Sequence, residues 1–280
     1  MKERAYAKIN LCLNVKGRRD DGYHELEMIM VPVDFYDVLE MTPAEETTLC
    51  NNRSYIPVNE KNTVIKAINV LRSRYGFENE FACKLQKHIP TRAGLAGGSA
   101  DAAAAIRMMN RMLRLNMTLD EMIDCAREVG ADVPFCIQSR PAYVQGIGEK
   151  ITPFVCHPDF ELLLVKPRRG VSTKEAFSLC DSTEPMHPDC MKMHEALVQN
   201  DYDGILNSLG NSLEDAALQL VPEIRQVKEG LRQLGFDGVL MSGSGSTVFG
   251  ITKNHQLVEE AADLFHTHKF FVRKTKILAR

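Results

Sequence analysis

The sequence has little excess of charge of either sign. Its 280 residues include 34 lysines and arginines and 37 aspartates and glutamates, which gives a formal net charge of −3. Proteins that bind nucleic acid or a membrane surface usually carry a clustered basic excess. We expect neither kind of partner here, so any binding function has to depend on local sites.

Long apolar runs are also missing. No stretch approaches the ~18 apolar residues of a membrane span, and the chain starts with Met1-Lys2-Glu3-Arg4, so we expect neither a span nor a signal peptide. The eight cysteines are dispersed, without a C-x-x-C pair or a Cys/His cluster at zinc spacing. We therefore expect a reduced, cytoplasmic protein whose cysteines are mostly core residues, and we identify no metal ligands.

The stretch from Ile89 to Ala105 contains the clearest functional signal. Glycines and small neighbours in its first half let backbone N–H groups approach a ligand, and its alanine-rich second half favours a helix. A loop that runs into a helix N-terminus suits a phosphate group. Gly-Lys-Ser/Thr does not follow the glycines, and their spacing is not that of a dinucleotide fingerprint, so both motifs are excluded. A tight turn before a packed helix is the alternative interpretation.

An N-terminal strand is predicted by the alternation of residues 6–15, which places Lys8 and Asn10 side by side on one face. On a face that lines a cleft, these residues would offer a cation and an amide to a polar ligand. A solvent-exposed lysine is the alternative.

Three further segments have both a structural and a functional interpretation. Asp132 lies between small residues and Pro134, where it would cap a short helical turn or act in a site. Tyr23 and His24 follow a turn and, taken alone, are ordinary surface residues. The serine-glycine run at 242–246 separates two apolar strands, which favours a loop of backbone donors facing an anion over a flexible linker.

The remaining periodicities predict an alternating series of strands and helices, with a domain boundary at Pro158. Strands are expected at 26–33, 37–41, 81–87, 160–165, 236–241, 247–251 and 270–275, with a short strand between 43 and 60 and a hairpin at 142–151. Helices are expected at 62–75, 101–113, 118–129, 191–199, 201–219, 222–234 and 257–266, and a loop at 178–192.

Taken in order, these motifs resemble the GHMP small-molecule kinases over nearly the whole chain. The matching segments are Ala7-Lys8-Ile9-Asn10-Leu11, Gly17-Arg18-Arg19, Asp21-Gly22-Tyr23-His24, Ile89 to Ala103, Gly130-Ala131-Asp132-Val133-Pro134-Phe135, Gly146-Ile147-Gly148-Glu149 and Ser242-Gly243-Ser244-Gly245. The resemblance implies an α+β fold of two domains. These would be a ribosomal-S5-like α/β domain for ATP binding and catalysis at 1–157, and a ferredoxin-like α+β domain on the substrate side at 158–280, with the acceptor alcohol in a cleft between them.

In that family, the lysine and aspartate that match Lys8 and Asp132 are the catalytic pair. Asp132 would accept or orient the hydroxyl proton, and Lys8 would stabilise charge on the transferring phosphoryl group. The resemblance also implies ATP with Mg²⁺ as cofactors. The residues expected to hold the nucleotide are Asn62, Pro90, Thr91, Arg92, Ala93, Gly94, Leu95, Ala96, Gly97, Gly98, Ser99 and Ala100.

Within the family, the resemblance is closest to kinases that phosphorylate the 2-hydroxyl of 4-diphosphocytidyl-2-C-methyl-D-erythritol in non-mevalonate isoprenoid biosynthesis. It implies that Tyr23 stacks on the cytosine, His24 hydrogen-bonds the base edge, Asn10 holds the substrate and Phe177 supplies the opposite stacking face. A monomer or weak homodimer is expected. The alternatives are a GHMP kinase for another polyol and a non-catalytic nucleotide-binding homologue.

The glycine loop departs from the usual family pattern, Pro-Met-Gly-Ala-Gly-Leu-Gly-Gly-Gly-Ser-Ser-Asp. Thr91 and Arg92 replace Met-Gly, Ala96 replaces a glycine and Ala100 replaces a serine. Arg92 would either add a cation for the phosphates or obstruct the nucleotide. Ala100 lacks a hydroxyl that would otherwise bind Mg²⁺ or phosphate.

Overall fold

The computed structural model describes residues 1–278, in which strands and helices alternate through most of the chain. The strands are β1 (Lys2–Arg18), β2 (His24–Ala44), β3 (Thr48–Asn51), β4 (Glu80–Gln86), β5 (Ala142–Gly146), β6 (Lys150–Pro153), β7 (Glu161–Lys166), β8 (Gly210–Asn211), β9 (Gly238–Met241), β10 (Val248–Thr252) and β11 (Phe271–Thr275). The helices are α1 (Thr63–Tyr75), α2 (Gly97–Met112), α3 (Leu119–Val129), α4 (Val133–Gln138), α5 (Thr173–Cys180), α6 (Cys190–Gln199), α7 (Tyr202–Asn207), α8 (Glu214–Leu220), α9 (Glu223–Leu234) and α10 (His255–Thr267).

The described chain divides into two compact units, and neither is a single stretch of sequence. Unit 1 comprises Met1–Ala7, Phe35–Pro90 and Ala96–Ser139, and unit 2 comprises Lys8–Asp34, Thr91–Leu95 and the chain from Arg140 onward. Strands β1 and β2 therefore contribute residues to both units. The predicted domain boundary at residue 157 stays a prediction.

Unit 1 pairs its strands around β4. The second half of β2 runs antiparallel to β4, from Val38 opposite Gln86 to Ala44 opposite Glu80. Strand β3 runs parallel to β4. Helices α1, α2, α3 and α4 pack against one another.

Helix α1 begins and ends where its capping residues dictate. The Asn62 side-chain oxygen accepts a hydrogen bond from the N–H of Val64, and Gly76 ends the helix with a left-handed φ of 65°. A capping box begins α3, with Thr118 and Glu121 each capping the backbone of the other. Both helix starts were therefore predictable from short polar motifs.

Unit 2 contains an antiparallel sheet with the strand order β11-β7-β10-β9. Val165 of β7 lies opposite Val248 of β10 and Val272 of β11. Helices α9 and α10 contact this sheet, and Leu231 and Phe265 join its buried apolar cluster. In the same unit, β5 pairs with the first half of β2 and with β6, and β8 pairs in parallel with β1.

Two predicted strands are one strand in the structure. The segments at 26–33 and 37–41 both belong to β2, although Pro32 lies in the middle of the strand. The backbone of residues 32–34 is paired there with residues 276–278, since Leu278 N–H donates to the Pro32 carbonyl and Val33 forms a bridge with Ile277. Pro32 lacks only an N–H, so its carbonyl still takes part in strand pairing.

Other boundaries also differ from the sequence predictions. The helix predicted at 201–219 is α7, β8 and α8, because Gly210 and Asn211 pair with β1. Helix α2 begins at Gly97 instead of Asp101. Helix α5 was not predicted, although Ser172 caps its start. None of the helices in residues 1–278 combines the length and apolarity that a bilayer crossing requires.

The interpretation of the cysteines as core residues is confirmed for seven of the eight, with Cys50 exposed.

Candidate functional site

Lys8 and Asn10 lie on the same face of β1, and both are buried. Lys8 is 4% and Asn10 is 1% exposed, so the alternative of a solvent-exposed lysine is wrong. Lys8 Nζ donates a hydrogen bond to Asn10 Oδ1 at 2.7 Å. Within residues 1–278, Asn10 Nδ2 has no hydrogen-bond partner. Buried amide donors normally have a partner, so Asn10 is suited to donate to a ligand.

Ser242 connects β1 to the glycine loop. Its hydroxyl accepts a hydrogen bond from the backbone N–H of Asn10 at 3.3 Å and donates to the carbonyl of Gly94 at 3.0 Å. A single buried hydroxyl thus links the backbone of Asn10 to the glycine loop by hydrogen bonds.

Two backbone hydrogen bonds hold the rest of this loop segment. The N–H of Lys8 donates to the carbonyl of Leu95 at 3.2 Å, and the N–H of Thr247 donates to the carbonyl of Ala93 at 3.2 Å. The serine-glycine run is therefore an ordered support for the glycine loop, and the alternative of a flexible linker is wrong. Its proposed contact with an anion stays a prediction.

Gly94 is required by close packing. Its φ is 73°, a conformation that side-chain-bearing residues rarely adopt. A Cβ at this position would lie 2.0 Å from the Ser242 carbonyl oxygen. Any side chain here would separate the glycine loop from the serine-glycine loop.

The start of α2 offers unpaired backbone donors. Ala96, the N-cap, has a φ of 54° and no side-chain oxygen, and within the described chain no side chain caps the helix. The first N–H groups of a helix have no partner inside the helix. Together with the helix dipole they suit a phosphate group, and the binding of a phosphate here stays a prediction.

A buried charged cluster lies behind this helix start. Lys87 Nζ donates to Asp101 Oδ2 at 2.5 Å and also pairs with Asp37 Oδ2. Asp37 Oδ1 accepts hydrogen bonds from the N–H groups of His88 and Ile89, at 2.5 and 2.8 Å. The cluster of Lys87, Asp37 and Asp101 therefore joins the residues before the loop to the second turn of α2.

The cluster shifts the protonation of its members. Burial opposes the charge on Lys87, but Asp101 and Asp37 outweigh it and raise its pKa. Burial also raises the pKa of Asp101, to about 7, against the lowering effect of Lys87. Within residues 1–278, Asp101 Oδ1 has no hydrogen-bond partner, which agrees with a carboxyl group that is costly to ionise.

The predicted site residues of unit 1 include Asp132 and Asn62. Asp132 stands at the N-cap of α4, but in residues 1–278 its side chain makes no capping hydrogen bond with the helix. The interpretation as a helix cap is therefore wrong. Asn62 caps α1 and also donates from Nδ2 to the Pro57 carbonyl at 2.7 Å. Its predicted place near an adenine stays a prediction.

Three predicted substrate residues belong to unit 2. Tyr23 is 60% exposed. His24 and Phe177 are stacked, with ring centroids 4.7 Å apart and planes 27° apart. The structure therefore brings Phe177 against His24, whereas the resemblance places it against the base. His24 Nε2 also lies 2.6 Å from Asp181 Oδ1, a partner that the sequence did not reveal.

Two family descriptions match separate parts of the chain. The family description "GHMP kinases N terminal domain" matches residues 62–140, and "GHMP kinases C terminal" matches residues 193–267. A protein of Bacillus pumilus named 4-diphosphocytidyl-2-C-methyl-D-erythritol kinase is 41% identical over 92% of this chain and 90% of its own length. The chain belongs to the GHMP kinase family.

A second relative of this GHMP kinase, from Clostridium beijerinckii, has the same name and is 40% identical over 90% of each chain. A crystal structure of 4-(cytidine 5'-diphospho)-2C-methyl-D-erythritol kinase superimposes with a TM-score of 0.81, at 31% identity over 98% of this chain and 99% of the other. The predicted α+β class, with two GHMP domains, is confirmed. The chain is a small-molecule kinase, and kinases of this family use ATP.

The altered loop residues of this GHMP kinase occupy glycine-like conformations. Arg92 and Ala96, which stand where the family usually has glycine, have φ values of 49° and 54°. Such conformations cost a residue with a side chain roughly 1–2 kcal/mol. A Cβ on Gly170 would lie 2.5 Å from Arg92 Cβ, so Gly170 leaves the space that the exposed Arg92 occupies.

Sequence reasoning missed the cluster of Lys87, Asp37 and Asp101. A signal was nevertheless present, because Lys87 follows Phe81, Cys83 and Leu85 at alternate positions and continues the apolar face of β4 just past its last residue. A lysine on such a face is buried only when it is paired.

Proposed function

We propose that this GHMP kinase transfers the γ-phosphoryl group of ATP to the 2-hydroxyl of 4-diphosphocytidyl-2-C-methyl-D-erythritol. The observation that carries the proposal is the buried pair of Lys8 and Asn10, held directly against the glycine loop. The names of the Bacillus and Clostridium relatives support this acceptor. The reaction belongs to non-mevalonate isoprenoid precursor biosynthesis.

Lys8 acts on the transferring group. ATP, when bound, supplies the phosphoryl group, and its transfer depends on positioning and charge neutralisation more than on covalent chemistry. The Lys8 ammonium is oriented by Asn10 Oδ1, and its backbone is fixed by the Leu95 carbonyl. We assign Lys8 to the stabilisation of negative charge on the phosphoryl oxygens.

Asp132 acts on the acceptor. It stands at the start of α4, in the segment Gly130 to Phe135 that matches the GHMP kinases. We assign it to accepting the proton of the acceptor hydroxyl or orienting that hydroxyl. Asn10, through its Nδ2 donor, holds a polar group of the substrate.

The residues around the start of α2 fit a nucleotide phosphate. The uncapped N–H groups of Gly97, Gly98 and Ser99 provide the donors, and the small loop residues allow a close approach. We propose Mg²⁺ as the accompanying ion, with the Ser99 hydroxyl as one candidate ligand, because Ala100 offers none. A cytoplasmic location and a monomeric or weakly dimeric state remain predictions.

The proposal is tested by following ADP release from Mg²⁺-ATP and the cytidylylated methylerythritol. The wild-type protein should release ADP only with this acceptor, and not with homoserine or mevalonate. Lys8→Ala and Asp132→Asn should each lower turnover by about 10²–10⁴-fold, because each removes a group that acts in the transition state. ATP binding by Asp132→Asn, measured by calorimetry, should stay near that of the wild type.

Lys16→Ala is the matched control, since Lys16 is an exposed lysine of the same strand. It should leave turnover unchanged. Normal turnover in Lys8→Ala would remove Lys8 from the mechanism. ATP binding without ADP release in the wild type would instead favour the non-catalytic homologue.

A further inference from the structure

Asp181, which is not one of the expected substrate residues, contacts the ring of His24. Asp181 follows the last turn of α5 as its C-cap. Its Oδ1 lies 2.6 Å from His24 Nε2, while the ring of Phe177, one turn earlier, stacks on the imidazole. The end of α5 therefore sets both the plane of the His24 ring and the partner of one of its nitrogens.

The partner of Nε2 decides which nitrogen of the ring carries the proton. A carboxylate only accepts hydrogen bonds, so Nε2 has to be the donor in its contact with Asp181. In the neutral imidazole the other nitrogen, Nδ1, is then an acceptor. Within residues 1–278, no protein group hydrogen-bonds Nδ1 of His24, so this acceptor is available to a ligand.

An acceptor at this position distinguishes the two pyrimidines. Cytosine carries an amino donor at C4, where uracil and thymine carry a carbonyl acceptor. An acceptor nitrogen can accept a hydrogen bond from the amino group of cytosine. Opposite the uracil carbonyl, two acceptors would face each other and their lone pairs would repel. We infer that Asp181 is a specificity-determining positioning residue, which holds His24 in the tautomer that selects a cytidine diphosphate group over a uridine diphosphate group. This inference rests on the assignment of His24 to the base edge in the proposed function.

Binding of free nucleotides tests the inference without requiring catalysis. CDP and UDP are titrated separately by calorimetry into the wild type and into Asp181→Asn and Asp181→Ala. The wild type should bind CDP more tightly. Asp181→Ala should reduce the ratio of CDP to UDP affinity by about tenfold, because the hydrogen bond that selects the tautomer is lost. Asp181→Asn should reduce it less, since the amide oxygen still accepts a weaker, neutral hydrogen bond.

Asp189→Asn is the matched control. Asp189 is an exposed carboxylate in the same part of the chain, and Asn can replace it as the N-cap of α6. This variant should keep the wild-type ratio. Turnover with the cytidine substrate should show the effect of Asp181→Ala as a raised KM with kcat little changed, because Asp181 does not contact the reacting atoms.

The tautomer itself has a spectroscopic signature. In ¹⁵N spectra of histidine-labelled protein, His24 should show a protonated Nε2 and an unprotonated Nδ1, and Asp181→Ala should give a mixture of tautomers. His24→Gln identifies the signal. This readout does not depend on whether the protein phosphorylates any acceptor.

Two results would overturn the inference. One is an unchanged affinity for each of CDP and UDP in Asp181→Ala. The other is an equal loss of affinity for both nucleotides, which would mean that Asp181 only supports the shape of the site. Failure of the proposed function would give a different result: the wild type would bind CDP more tightly than UDP but would release no ADP.

Discussion

The glycine loop is held in two physically different ways along its length. In unit 2, Thr91–Leu95 is held by backbone hydrogen bonds, by the Ser242 hydroxyl and by the tight contact at Gly94. In unit 1, the residues before the loop and the start of α2 are held by the cluster of Lys87, Asp37 and Asp101. Neutral hydrogen bonds do not depend on pH, but the close contact at Gly94 leaves no room for a larger side chain. A buried charged cluster depends on every member being present and correctly protonated, because the loss of one member leaves an uncompensated charge away from water.

Of the variants that test this comparison, Lys87→Ala should lower the free energy of unfolding most. It leaves Asp37 and Asp101 buried without their cation, and removal of one partner from a buried ion pair typically costs about 3–5 kcal/mol. The free energy of unfolding, measured by urea denaturation, should fall by that amount. Lys84→Ala is the control, because Lys84 is an exposed lysine of β4, three residues before Lys87. Equal stability of the two variants would show that the cluster does not stabilise the fold.

Asp101→Asn should change how stability depends on pH. Burial raises the pKa of Asp101 to about 7 in the folded protein. The folded chain therefore keeps this proton at pH values where the unfolded chain has lost it, so the stability that Asp101 contributes is complete below about pH 4 and is lost as the pH rises through about 7. Between pH 5 and pH 8 this loss amounts to about 2–3 kcal/mol.

To test the pKa of Asp101, the change in unfolding free energy between pH 5 and pH 8 is compared among variants. The loss of unfolding free energy from pH 5 to pH 8 should be smaller in Asp101→Asn than in the wild type. Asp124→Asn, which changes an exposed aspartate of α3, should keep the wild-type dependence. The same slope in all three proteins would contradict a raised pKa for Asp101.

Ser242→Ala should have the smallest effect of the three, a loss of about 1–2 kcal/mol, because it leaves the buried N–H of Asn10 without its acceptor. The loss should be the same at pH 5 and pH 8, unlike that caused by Asp101→Asn. The KM for ATP should rise, since Gly94 loses its hydroxyl donor. Ser244→Ala, which removes a hydroxyl that contacts Thr173, is the control in the same loop. A pH-dependent loss in Ser242→Ala would mean that the two halves of the loop are not held independently.

The sequence predicted those parts of the fold that depend on short-range patterns. Capping residues such as Asn62 and Thr118, and terminators such as Gly76, gave helix boundaries because their hydrogen bonds and dihedral angles are local. The glycine loop was predictable for the same reason, although α2 begins at Gly97, four residues before the predicted start. The pairing of Lys8 with Asn10 followed from the alternation of a strand.

Features that depend on distant partners were not predictable in this way. The sequence did not predict one continuous β2, because residues 32–34 pair with residues 276–278, which lie more than two hundred positions away. The contact of His24 with Asp181 joins residues that lie 157 positions apart. Local periodicity contains no information about such partners, whereas the burial of Lys87 left a local trace in the apolar face of β4.

The discontinuous composition of the two units has a consequence for synthesis of the protein. The chain passes between the units five times, after Ala7, Asp34, Pro90, Leu95 and Ser139. Residues 8–34 are made early, yet β5, β8 and residues 276–278, which pair with them, follow much later. During translation, β1, the strand that contains Lys8, therefore gains its partner β8 only after residue 210 has been made. Unit 2 is therefore not complete before residue 276 has been made, and shortened chains that end earlier lack the pairing of residues 32–34 with residues 276–278.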